Sequence, residues 1–426
     1  MIAQNNQLES NTQRAPRYAY LSGFLLMVTM LFATAPNGFQ YDLSTDTDAL
    51  LEGNWLTRGQ WGPVYLIAAY LVWRHRTAAL QFIRQLNPFM LGLISLMLLS
   101  ALWSPLPEVT IRRGGLMVAA LLIGFSVHLA GWYPQRLIRL LYLAFGGILI
   151  ASIIAALLFP SFGIHQTGDF VGLWRGIGGD KNQMAKLSAV SVVIGSHAFL
   201  TAPDKRGWHG LFLTLALLGL IMSGGKSSLV AALAAVFLMF TITRQPITNR
   251  FWLPVTAVSL FLLIAIPLHF YIIVNGVPTY SDIFGPFFEL LGKDASLTGR
   301  DEIWVWVLPV FQQHWVLGYG YGAFWVGDFG LSGKIAASLG YYPWQSHNGF
   351  LEIANELGIV GLGLLIAFLV FHVRQLSILR HVNFRAFAFY APLLVLLVAT
   401  NISESGMFNG VNIYTLLLMF SSVAVS

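Results

Sequence analysis

Apolar runs near the length of about 20 residues that spans a bilayer recur along the whole chain. They fall at 18–36, 61–73, 88–103, 114–131, 137–160, 182–201, 209–223, 227–243, 251–274, 349–371, 386–402 and 409–425. One water-soluble core cannot bury so many. The chain is 56% hydrophobic and 10% charged, against about 25% charged in a soluble domain. Lipid must therefore be the solvent for most side chains. The expected fold is an all-α polytopic membrane protein of about twelve spans, forming a single domain over residues 1–426. The first run is too long for a signal-peptide core and reads as an uncleaved span.

An even number of spans puts both termini on one side. With that side inside, fourteen of the 24 basic residues lie on inner segments, accompanied only by Glu9 and Asp204. Short inner loops rich in Lys and Arg are the usual determinant of orientation, so cytoplasmic termini are expected. The basic residues come in twos and threes between apolar runs, which gives no patch for a nucleic acid. There are no cysteines, hence no disulfides and no thiolate chemistry.

Ten basic residues fall on the outer side: Arg58, Arg112, Arg113, Arg175, Lys181, Lys186, Lys226, Lys293, Arg300 and Lys334. Lys226 stands out in "IMSGGKSSLV", a junction of a few residues with no acid near it in sequence. A cation there faces protein or a watery cavity and has a ligand. "GGKSS" is not a phosphate loop, because Leu220 stands where that motif needs glycine and no strand precedes it.

Residues 275–345 form the one long outer loop, and long loops in compact proteins tend to be functional. Within it, Thr298 with Asp301 predicts a helix start, and Trp304, Trp306, Val307 and Phe311 predict an interfacial helix. Pro309 bends that helix, and Gly318, Gly320 and Gly322 end it in a turn.

"SHNGFLEIANELGIVGL", residues 346–362, opens the next span. Ser346 is placed to cap it, with His347 in the first turn. Asn348, Glu352, Asn355 and Glu356 share one face, with Asn348 and Glu352 expected to contact the substrate, and the apolar remainder reads as an ordinary span. Polar side chains at membrane depth are costly unless they meet a polar cavity. A neutral imidazole can take a proton from a hydroxyl. Arg175 and Lys181 in "WRGIGGDKNQMAK", Lys226, and Arg300 in "TGRDEIW" would stabilise a departing diphosphate. Asp180 with Gln183 looks like the N-terminal cap of a helix that begins at Lys181. The outer histidines His165, His269, His314 and His347 are too scattered for a zinc site, so neither metal nor cofactor is expected.

Four stretches, "WRGIGGDKNQMAKLSAV", "SGGKSSLVAAL", "LTGRDEIWVWVLPVFQQHWVLGYGYGAFW" and "SHNGFLEIANELGIVGLGLL", together resemble the O-antigen ligase and polymerase superfamily of bacterial membrane proteins. The resemblance implies a glycosyltransferase C-like helical bundle in the bacterial inner membrane, with its active site on the periplasmic face. It implies a glycan donor on undecaprenyl diphosphate and a glycan hydroxyl as acceptor. His347 matches the histidine that activates the acceptor, and Arg300 matches a basic loop residue that handles the diphosphate. Lys226 stands where ligases usually show arginine. That departure resembles the exopolysaccharide polymerase branch, the succinoglycan-type polymerases. The expected function is polymerisation of lipid-linked repeat units, alongside a flippase and a chain-length regulator. The alternatives are a ligase moving the glycan to lipid A-core or protein, and a transporter. A transporter would show broken half-helices and an inverted repeat, neither of which is evident in the sequence.

Overall fold

The computed structural model describes residues 18–35, 55–129, 134–244 and 300–426. The expected ninth span and residues 275–299 of the long loop lie outside the described residues, as do Thr298 and His269. The described residues are predominantly helical, and their only bridge pairing is the isolated one between Ile164 and Trp174.

The main helices are α1 (Ala19–Thr34), α2 (Trp55–Arg74), α3 (Arg76–Phe82), α4 (Pro88–Leu99), α5 (Pro107–Leu129), α6 (Pro134–Leu158) and α7 (Lys181–Thr201). They continue with α8 (Arg206–Met222), α9 (Lys226–Arg244), α10 (Arg300–Gln313), α11 (Gly330–Leu339), α12 (Gly349–Val382), α13 (Phe384–Asn401) and α14 (Ile413–Val425). Helices stand at eleven of the twelve expected positions. Six of those described are individually long and apolar enough to cross a membrane, and α3–α4 would add a seventh if its bent pair is one span. The second run is lengthened at its start to Trp55.

The core is central and the rim is greasy. In α7 and α13, 78% of the apolar stretch is buried, against 33% in α9. Large side chains such as Leu66, Val230 and Phe237 point outward, as lipid-facing residues do. α7 packs on α6, α8, α9 and α13, while α12 packs on α4 and α13. Asn87 sets the sharp turn into α4. Its Oδ1 accepts from the Phe89 and Met90 amides, Pro88 takes the first helical position, and its Nδ2 donates to the Phe368 carbonyl at 3.0 Å. One buried amide thus caps one helix and ties it to α12.

Two features of α12 depart from the sequence reading. Asn348, not Ser346, caps it, accepting from the Phe350 and Leu351 amides at 3.0 and 3.1 Å. The helix is also broken at Gly358, where φ is 66° and ψ −167°. A side chain at 358 would overlap the Val316 carbonyl, so only glycine fits. The long loop fills the break. Ile359 and Val360 donate to the carbonyls of Trp315 and Val316, while the amides of Tyr319 and Gly320 donate to the carbonyls of Asn355 and Glu356. Backbone groups freed inside a membrane protein need such partners. The break is plugged by the protein's own loop rather than left to line a path.

Candidate functional site

The long loop is pinned over the start of α12 by a small core of its own. Ile303, Trp304, Val307 and Val310 form the buried stripe of α10, packed with Phe324, Trp325, Ile335 and Leu351. Trp306, expected on the same apolar face, is exposed instead. Gly318, Gly320 and Gly322 all have positive φ, at 74°, 113° and 68°, which suits the residue type. Arg113 of α5 fastens the loop from below, donating to the carbonyls of Gly322 and Trp325. Glu356 is buried beside Arg113 and the Gly322 backbone.

This scaffold holds His347 in an uncommon conformation, with φ at 51°. A left-handed residue other than glycine costs roughly 1–2 kcal/mol and persists only where its neighbours fix it. Both neighbours do. The Ser346 amide donates to Glu352 Oε2 at 2.8 Å, and its carbonyl accepts from Trp304 Nε1 at 2.8 Å. On the other side Asn348 is committed to its cap. The Ser346 cap gave way because the left-handed turn at His347 begins the helix two residues later. Glu352 also accepts from Ser405 Oγ at 3.3 Å. Glu352 and Asn348 thus act as tethers that aim the imidazole.

The imidazole is aimed at Glu404, in the turn between α13 and α14. His347 Nδ1 lies 3.5 Å from Glu404 Oε2, and Gln345 Nε2 donates to the same oxygen at 2.9 Å. Arg300, the first residue of α10, reaches Glu404 Oε1 at 3.3 Å. Gln345 Oε1 accepts from the Ser405 amide at 3.1 Å, which closes the turn onto the loop. Burial alone would raise the Glu404 carboxyl. The hydrogen bond and charge of His347, with the charges of Lys186 and Arg300, instead hold it down at about 2. His347 Nε2 has no partner among the described residues, and the side chain is 27% exposed.

Lys186 of α7 is buried, with Nζ 5.7 Å from the centre of the Tyr414 ring. The "GGK" junction reaches the same place. Gly224 takes a positive φ of 65°, and a side chain at Gly225 would overlap the Ala185 methyl next to Lys186. Lys226 begins α9, exposed, two residues before Ser228, which lies beside the Tyr414 hydroxyl. Gly225 thus serves close approach to α7, while a side chain at Gly224 would meet Leu173 in the preceding segment.

Arg175 and Lys181 belong to a second cluster, in the segment between α6 and α7. Arg175 donates to the carbonyls of Phe162 and Ser161 at 2.8 and 3.1 Å. Lys181 Nζ lies 4.3 Å over the Phe170 ring, and its amide donates to His165 Nε2 at 3.1 Å. The helix does begin at Lys181, but Asp180 makes no side-chain cap.

Two residues of the site were not singled out from the sequence. Lys186 was noted only as an outer cation. Glu404 is an acid in the turn between two apolar spans, a position that local spacing does not connect to His347.

The geometry can be set beside known proteins. Residues 211–366 match the family model described as O-Antigen ligase. That stretch contains Lys226, Arg300, His347 and Glu352, and it ends before Glu404. The chain is also 26% identical over 290 residues to the exopolysaccharide production protein ExoQ of Rhizobium meliloti (strain 1021). The match covers 63% of this chain and 60% of that relative's length. Over these parts of its length, the chain is similar to proteins of the O-antigen ligase and exopolysaccharide polymerase type.

Proposed function

We propose that the protein is an inner-membrane glycosyltransferase that joins lipid-linked oligosaccharide repeat units into exopolysaccharide at the periplasmic face. The observation that carries the reading is the convergence of His347, Arg300 and Lys186 on the single carboxylate of Glu404. With a neutral imidazole, two cations face one carboxylate, so the site keeps one positive charge for an anionic donor.

In this reading His347 Nε2 takes the proton of the acceptor hydroxyl. The hydroxyl oxygen bonds to the anomeric carbon as the bond from that carbon to the diphosphate oxygen breaks. The diphosphate leaves on its undecaprenyl lipid with the electron pair, stabilised by Arg300 and Lys226. The growing chain is the donor and a new repeat unit is the acceptor. Cationic side chains take the part that a metal plays elsewhere. Arg175 and Lys181 shape the neighbouring outer segment. A flippase supplies the repeat units, and a chain-length regulator acts downstream.

The relative named for exopolysaccharide production supports the polymerase. The family model's description favours a second reading, a ligase that moves the glycan to lipid A-core. A deletion strain separates the two. Loss of high-mass secreted polysaccharide with normal lipopolysaccharide is the expected result. Accumulation of unligated O-antigen would replace the polymerase with the ligase. Polymerisation in vitro should persist in EDTA, and loss of rate restored by a divalent ion would overturn the metal-free mechanism.

A further inference from the structure

We propose that Glu404 is a positioning residue that couples donor capture to activation of the base, because Arg300 and His347 share its one carboxylate. The inference rests on the proposed function and adds a device to it. Arg300 sits on Oε1 at 3.3 Å, and His347 on Oε2 at 3.5 Å. Charge-assisted hydrogen bonds between such groups close to about 2.7–2.9 Å when tight. Both contacts are looser than that, so a competing anion can take Arg300 at little cost.

The consequence follows from charge. Glu404 is faced by His347 before α12, Arg300 on α10, Lys186 on α7 and Tyr414 on α14. Its other close neighbour, Gln345, is neutral. While Arg300 sits on the carboxylate, part of its negative charge is offset and less of it faces the imidazole. A diphosphate that draws Arg300 away leaves the whole carboxylate to His347. Nδ1–H then donates to Glu404, and the lone pair at Nε2 is left for the acceptor hydroxyl. Proton abstraction is thereby tied to a loaded donor site, which discourages idle reaction of the base.

The test is the pH dependence of polymerisation by the full chain in nanodiscs, with a purified lipid-diphosphate repeat unit as probe. In Glu404→Gln the acid limb of kcat/KM should move to lower pH by about one unit, and kcat should fall roughly tenfold or more. In Arg300→Gln the limb should move the other way, to higher pH, with donor KM raised roughly tenfold. Glu404→Asp keeps the charge and should restore the limb and part of the rate. Opposite displacements are the signature, since a merely structural Glu404 would move neither limb.

Limbs that coincide with wild type, or that move together, would overturn the coupling. If Glu404→Gln fails to fold, the Asp variant and Arg300→Gln carry the same comparison. Polymer made by His347→Ala would instead defeat the proposed function itself. An inactive His347→Ala beside a wild-type profile in Glu404→Gln would defeat the coupling alone.

Discussion

Two clusters hold the same inventory: one histidine, one acid, one arginine and one lysine. The first is His165, Asp180, Arg175 and Lys181. The second is His347, Glu404, Arg300 and Lys186. In the first, three of the four groups are turned to local structure. Arg175 braces two carbonyls, Lys181 lies on an aromatic ring, and the His165 Nε2 lone pair accepts a backbone amide. In the second, the cations and the imidazole converge on one carboxylate, and Nε2 of His347 is open. The difference lies in reach along the chain. The first cluster comes from sixteen consecutive positions, 165–180, and the residue after them. The second is assembled from four elements, α7, α10, the start of α12 and the α13–α14 turn. A group satisfied by its own loop is occupied, whereas one brought to meet distant partners retains capacity for a substrate.

The comparison breaks first, if it breaks, on the histidines. His347→Ala should lower polymerisation by roughly 10²–10⁴-fold, the range for a lost general base, with membrane insertion intact. His165→Ala should keep the rate within about threefold, since its change is confined to one loop and most substitutions of that kind are small. Radiolabelled polymer formed by each variant decides it. Equal losses would mean that the inventories, not the connectivity, carry the chemistry.

The arginines give the next largest effect. In the proposed reaction Arg300→Ala removes a charged partner of the donor, and such hydrogen bonds are worth about 1.5–3 kcal/mol. Donor KM should rise roughly tenfold to a hundredfold. Arg175→Ala should show itself mainly as a lower unfolding temperature, because two carbonyls of the 160–163 turn lose their donor. The reverse ranking would move the diphosphate to the first cluster.

Much of this was readable in the sequence, and the misses share one cause. The helices follow the apolar runs because lipid-facing and core-facing residues are both apolar, so composition reports length directly. His347, Asn348 and Glu352 were legible because helical spacing places them together. Glu404 was not, since it meets His347 across 57 positions, and no local periodicity carries such a contact. Its one sequence signal is the one that marks Lys226, a charge in a short junction without a counter-charge nearby. The break at Gly358 was hidden for a similar reason. A glycine inside a helical pattern is usually tolerated, and the carbonyl that excludes any other residue there belongs to Val316, on a distant loop. Ser346 has the chemistry of a good cap. The left-handed residue between it and the helix decided otherwise.

The smallest effect sharpens the same comparison through pH. Burial holds the His165 imidazole below its ordinary range; Arg175 and Lys181 add to this, and Asp180 opposes it. The unfolded chain therefore binds a proton more readily at this position than the folded protein does. Between the lowered folded value and about 6.5, the ordinary value for histidine, stability must rise with pH and be lost as pH falls. His165→Gln removes the titration while leaving an acceptor for the Lys181 amide. The thermal midpoint of the variant should vary less with pH below about 6.5, by roughly 1 °C, with polymerisation at neutral pH close to wild type. A steep loss of activity on the same substitution would show that His165 does more than accept the amide, and the two clusters would then have to be treated as one site.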